Sequence, residues 1–89
     1  MVDFYASWCG PCKIAAKTFA AVAEEMERPD LKFLKVNTEA HVETVEAYGL
    51  KGLPVFAIFK EGKLLAKHEG NLGKVALTDF IKRSVSSVV

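Results

Sequence analysis

The chemistry in this chain starts from two cysteines, Cys9 and Cys12, set three residues apart and with no other cysteine in the 89 residues. A disulfide across so short a span closes a very small loop, so by the chain-entropy argument it stabilises a fold far less than a long-range crosslink. A closed zinc site wants four ligands, and the only imidazoles, His41 and His68, are distant in sequence and not at ligand spacing. An intermolecular metal site stays open. Reversible thiol–disulfide exchange fits best, with one thiol attacking and the other resolving.

The surrounding residues suit that chemistry. In Trp8-Cys9-Gly10-Pro11-Cys12-Lys13, Cys9 falls where a short apolar strand hands over to a helix. Free N–H groups and the partial positive charge of a helix N-terminus favour thiolate over thiol. Lys13 adds a cation. Cys12, one turn further in, is expected to be the more buried sulfur. Gly10 permits close approach of a partner chain and Pro11 stiffens the turn. Trp8 offers a flat apolar surface beside the sulfur, or else packs in the core.

The elements that must position this pair read βαβαββα. Strands are expected at Val2–Ala6, Leu31–Asn37, Val55–Phe59 and Lys63–Glu69. Helices are expected at about Cys9–Glu27, Glu39–Tyr48 and Lys74–Ser86. The first helix repeats Ile14, Ala15, Thr18, Phe19, Val22 and Met26 at helical spacing, and Arg28-Pro29-Asp30 stops it. Asn37 or Thr38 can cap the second helix and Gly49 can end it. Glu61-Gly62 is a tight hairpin turn. The last helix would turn Val75, Leu77, Phe80, Ile81 and Val85 inward. A βαβ unit needs parallel strands and a hairpin antiparallel ones, so a mixed four-stranded sheet flanked by helices follows, an α/β fold. Residues 1–89 read as one domain.

Three further residues stand out. Asp3 sits in the middle of an apolar strand, where burying a carboxylate is costly. It is either solvated at a frayed end, or a buried acid of raised pKa able to take a proton. Lys35 is either its neighbouring cation or a lysine that protects an edge strand. Pro54 follows Leu53 just before the most apolar strand, and composition alone leaves that bond trans. His41, His68 and the charged stretch Glu24–Arg28 read as solvated surface.

The segment Val2 to Lys13, with its Trp8-Cys9-Gly10-Pro11-Cys12-Lys13 core, closely resembles the active-site stretch of thioredoxins. The likeness extends to Gly49–Pro54, to Phe59–Lys63 and to Gly70, and so covers essentially the whole chain. The resemblance implies a thioredoxin-like fold and a protein-disulfide reductase needing no cofactor. Its Cys9 thiolate would attack a target disulfide, and Cys12 would resolve the mixed disulfide. Asp3 would serve as proton acceptor for Cys12, with Lys35 nearby. It also implies a cis Leu53–Pro54 bond packed against the sulfurs. Trp8, Gly10, Pro11, Leu53, Pro54 and Gly70 would then form the surface that docks the target peptide. The implied partners are disulfide-containing target proteins and a thioredoxin reductase.

Three departures from the family pattern are visible. Lys17 stands where a helix-kinking proline is usual, so a straighter helix is expected. Val55 stands where a threonine often follows the cis-proline. Thioredoxins also usually begin with an extra strand and helix ahead of the position of Met1. Without that strand, Leu31–Asn37 would be a bare sheet edge, with Phe33 and Val36 inviting a homodimer. A thioredoxin-fold docking or chaperone module with secondary redox activity is the alternative function.

The formal net charge of +1 gives no reason to expect nucleic acid or an anionic membrane as partner. No apolar run approaches a membrane span. No basic leader precedes an apolar stretch, so a cytoplasmic location is expected, or an organelle stroma or matrix if a transit peptide was removed.

Overall fold

A computed structural model describes residues 1–86, with side chains described through residue 84. The strands are β1 (Val2–Tyr5), β2 (Leu34–Asn37), β3 (Val55–Lys60) and β4 (Lys63–Glu69). The helices are α1 (Gly10–Met26), α2 (Val42–Tyr48) and α3 (Lys74–Ser86), with a single 3-10 turn at Thr38–Ala40. The sheet order is β2-β1-β3-β4. β1 runs parallel to β2 and antiparallel to β3, and β3–β4 is an antiparallel hairpin. The expected mixed sheet and element order are therefore observed.

The pleat sorts β1 into two faces. Val2 and Phe4 join Leu50, Val55 and Ala57 in a cluster that α2 covers with Val45 and Tyr48. Met1 points the other way, into the core built from Ala15, Phe19 and Val22 of α1, Phe56 and Ile58 of β3, and Leu77 and Ile81 of α3. Asp3 shares that second face by period two and pairs across the ladder with Phe56. The side chains of Phe56, Leu77 and Ile81 are fully buried, and each contributes about 1.5–3 kcal/mol through removal from water.

The structure corrects several boundaries. β2 starts at Leu34 rather than Leu31, because Arg28 and Leu31 exchange backbone hydrogen bonds of 3.1 and 3.0 Å across the Pro29-Asp30 turn. Leu31 is buried in the core from within that turn. The second helix is broken: Thr38–Ala40 forms the 3-10 turn, His41 leaves helical geometry, and α2 begins at Val42. Asn37 is the cap, its Oδ1 accepting from the Glu39 N–H at 2.9 Å. Gly49 ends α2 in the left-handed region with φ 62°.

Ile14 is exposed, and Val75 is 76 % exposed rather than inward-facing; α3 packs through Leu77, Phe80 and Ile81 instead. The expectation for Val85 lies outside the described side chains. His68 is half-buried against Phe80, ring centroids 6.3 Å apart. Glu24, Glu25, Glu27 and Arg28 are exposed as expected, and Lys74 Nζ also donates to Glu25 at 2.6 Å, linking α1 to α3.

Candidate redox site

Cys9 is the N-cap of α1 and Cys12 lies in its first turn, with Pro11 in the second helical position. A proline is tolerated there because first-turn N–H groups have no intrahelical acceptor. Cys9 and Cys12 are joined as a disulfide, with Cα atoms 5.3 Å apart. The Cys12 N–H donates to Cys9 Sγ at 3.2 Å. A free donor of the helix N-terminus is thus aimed at the Cys9 sulfur, where it would stabilise a thiolate.

The expected difference in burial between the sulfurs is absent, since Cys9 is 4 % and Cys12 3 % exposed. The asymmetry lies in position instead. Cys9 is at the helix end and receives the backbone donor, whereas Cys12 is inside the turn.

Three elements converge on the pair. Ala6, Cys9 and Cys12 form a small buried cluster against which Tyr5 and Leu53 pack. The Leu53–Pro54 peptide bond is cis, and Pro54 is buried. The Gly70 N–H donates to the Pro54 carbonyl at 2.8 Å, and Gly70 has φ 98°, a conformation that favours glycine. Gly70 therefore lies beside Pro54 at the mouth of the hairpin. Gly10 and Pro11, between the two cysteines, are exposed.

Trp8 is 74 % exposed, which excludes the core reading for it. It flanks a shallow hollow of about 270 Å³ lined also by Glu39, Val42, Val45, Leu50 and Leu53. A larger cleft of about 560 Å³ lies between β4 and α3 at His68, Leu72 and Phe80, and neither cysteine lines it.

Asp3 is completely buried, and among the described residues neither of its carboxylate oxygens has a hydrogen-bond partner. Burial pushes its pKa from the usual 3.8 up to about 6, and the positive charge of Lys35 pulls it partly back. This settles the frayed-end reading of Asp3 against solvation. Lys35 is its register partner on β2. The Lys35 side chain is exposed, with Nζ 4.9 Å from the centre of the Tyr5 ring. It acts on Asp3 through charge, and it sits on an edge strand.

One feature escaped the sequence reading. Glu39 accepts two hydrogen bonds from Ser7, on the loop that carries Trp8. The two residues are 32 positions apart, and only the parallel pairing of β1 with β2 brings them together.

Among the described residues, no group of three or more His, Cys, Asp and Glu is placed to hold a metal ion. No described helix is long and apolar enough to cross a membrane.

Residues 1–83 match the family model for thioredoxin. The chain is 38 % identical over 81 residues to the thioredoxin of Buchnera aphidicola, covering 91 % of this chain and 73 % of that protein. It is 40 % identical over 81 residues to the thioredoxin of Acidithiobacillus ferridurans, covering 91 % of this chain and 74 % of that one. Its structure resembles that of the reduced thioredoxin pre-protein of Schistosoma mansoni, with TM-score 0.81 and 33 % identity over 92 % of this chain and 74 % of that one.

Proposed function

Because the chain belongs to the thioredoxin family and is a thiol–disulfide oxidoreductase of the protein-disulfide reductase type, we propose that Cys9 is its attacking thiol and Cys12 its resolving thiol. The observation that carries the assignment is the Cys12 N–H directed at Cys9 Sγ from the helix N-terminus.

The Cys9 thiolate attacks one sulfur of a target disulfide. That S–S bond breaks, a mixed disulfide forms on Cys9, and the first target sulfur leaves as a thiolate. Asp3 takes the proton from Cys12, a role suited to a buried carboxyl held near pKa 6. The Cys12 thiolate then attacks Cys9 Sγ and releases the second target sulfur. Two electrons have passed to the target, and the protein carries the Cys9–Cys12 disulfide. The family's partners, disulfide-containing targets and a thioredoxin reductase, supply the two ends of this cycle.

Trp8, Gly10, Pro11, Leu53, Pro54 and Gly70 form the docking surface, with the Leu53 backbone pairing to an extended target strand. We read the chain as one domain working in a reducing compartment, cytoplasm or organelle stroma. The likeness to bacterial thioredoxins supports this reading.

Reduction of insulin disulfides driven by dithiothreitol tests the function. Turnover above the dithiothreitol background, lost in Cys9→Ser, is the expected result. A folded sample with no such turnover would favour the docking or chaperone module.

The β2 edge carries a second expectation. Among the described residues β2 pairs only with β1, and its exposed residues are Leu34 and Lys35. Phe33 and Val36, the two named from sequence, are half-buried instead, Phe33 edge-on to Phe19 at 5.5 Å. An unpaired edge with an exposed leucine favours self-association. Sedimentation velocity should show an average mass that rises with concentration. A mass constant from micromolar to millimolar protein would overturn the homodimer.

A further inference from the structure

Trp8 poses a positioning problem. It is largely exposed, so burial does not hold it, and it sits in the short loop between β1 and α1. The loop's polar groups show what does. The Cys9 N–H closes the turn onto the Ala6 carbonyl at 3.2 Å. The Ser7 N–H and the Ser7 hydroxyl both donate to the same oxygen of Glu39, Oε1, at 2.7 and 2.6 Å. The Thr38 hydroxyl donates to the Tyr5 carbonyl at 3.0 Å.

Two consecutive residues of the 3-10 turn therefore grip the loop before and after Ala6. The Asn37 cap fixes Glu39 in turn. Both Ser7 donors hold the Glu39 pKa below the usual carboxylate range. Glu39 and Trp8 also line the same hollow.

We propose that Glu39 is a positioning residue for disulfide exchange, latching Ser7 so that Trp8 stands ready to receive the target peptide. The inference rests on Trp8 belonging to the docking surface proposed above. Glu39 touches no reacting atom. It removes from the target the entropic cost of ordering the loop, so its loss should appear in KM and leave kcat near that of the unaltered protein.

The test combines insulin-reduction kinetics with fluorescence anisotropy decay of Trp8, the only tryptophan in the chain. Glu39→Ala should raise KM roughly two- to tenfold, with little change in kcat, and should increase the fast motion of Trp8. Glu39→Gln keeps an acceptor oxygen at the same reach and should restore both readouts. Ser7→Ala keeps the backbone bond and should fall between them.

Unchanged anisotropy in Glu39→Ala would overturn the latch, as would looser Trp8 with unchanged KM. Failure of the docking surface is separable: Trp8→Ala would then leave KM unchanged. A raised KM in Trp8→Ala together with a normal KM in Glu39→Ala condemns the latch alone.

Discussion

Cys12→Ser should capture target proteins on Cys9 as a mixed disulfide that persists until dithiothreitol is added, whereas Cys9→Ser should capture none. The two variants differ because the two sulfurs do different work. Cys9 Sγ is the cap of α1 and accepts the Cys12 N–H, so its thiolate is stabilised by a donor that serine leaves in place but cannot use as a nucleophile. A serine hydroxyl is far too weakly acidic to attack a disulfide at neutral pH, and turnover should fall by at least about a thousandfold.

In Cys12→Ser the first exchange is intact. The second has no attacking sulfur, and the mixed disulfide accumulates. Non-reducing electrophoresis after mixing with oxidised insulin reads the result directly. Equal trapping by both variants would mean that the roles are shared, and trapping by Cys9→Ser alone that they are reversed. The near-equal burial of the two cysteines makes this an informative comparison, because exposure alone does not favour Cys9.

Asp3→Asn should make the protein more stable at neutral pH and remove a pH dependence. Asp3 is raised to about 6 in the folded protein against the usual 3.8, chiefly by burial. The folded state therefore holds the Asp3 proton more tightly than the unfolded state does. Where the unfolded state binds fewer protons, stability falls as pH rises. Asp3 withholds nothing below about pH 3.8, and its penalty grows as pH rises through about 6.

A shift of roughly two units amounts to about 3 kcal/mol at pH 7 and above. Asparagine stands in for the protonated acid, so the gain should be about 2–3 kcal/mol at pH 7–8 and vanish near pH 4. Urea unfolding at both pH values checks this. The same substitution removes the proposed proton acceptor for Cys12, so release of reduced target should slow by roughly tenfold or more at neutral pH. A variant no more stable at pH 8 than the unaltered protein would show that Asp3 is solvated in solution. Stability gained with unchanged release would leave Asp3 a buried acid without a part in exchange.

The sequence by itself determined the redox pair and its setting. Cys9 and Cys12 flank a glycine and a proline at a strand–helix handover, and local physics suffices there. Helix capping, the tolerance of Pro11 in the first turn and the hairpin turn at Glu61-Gly62 all depend on neighbours within a few residues. Hydrophobic period named most of the core, including Phe19, Val22, Leu77 and Ile81. It failed at Ile14 and Val75, because period says which residues share a face but not how wide a stripe the neighbouring element covers.

Only the tertiary structure decided what depends on non-local packing. It buried Asp3 on the α1 face of β1 with no hydrogen-bond partner among the described residues, set Trp8 outward, and drew Leu31 out of the strand into a turn. It also broke the second helix so that Thr38 and Glu39 could bond back to the β1–α1 loop. The chemistry was legible because thiol reactivity is set within one helical turn. The machinery that aims it was not, because its hydrogen bonds join residues more than thirty positions apart, and sheet pairing brings these together without any local sequence signal.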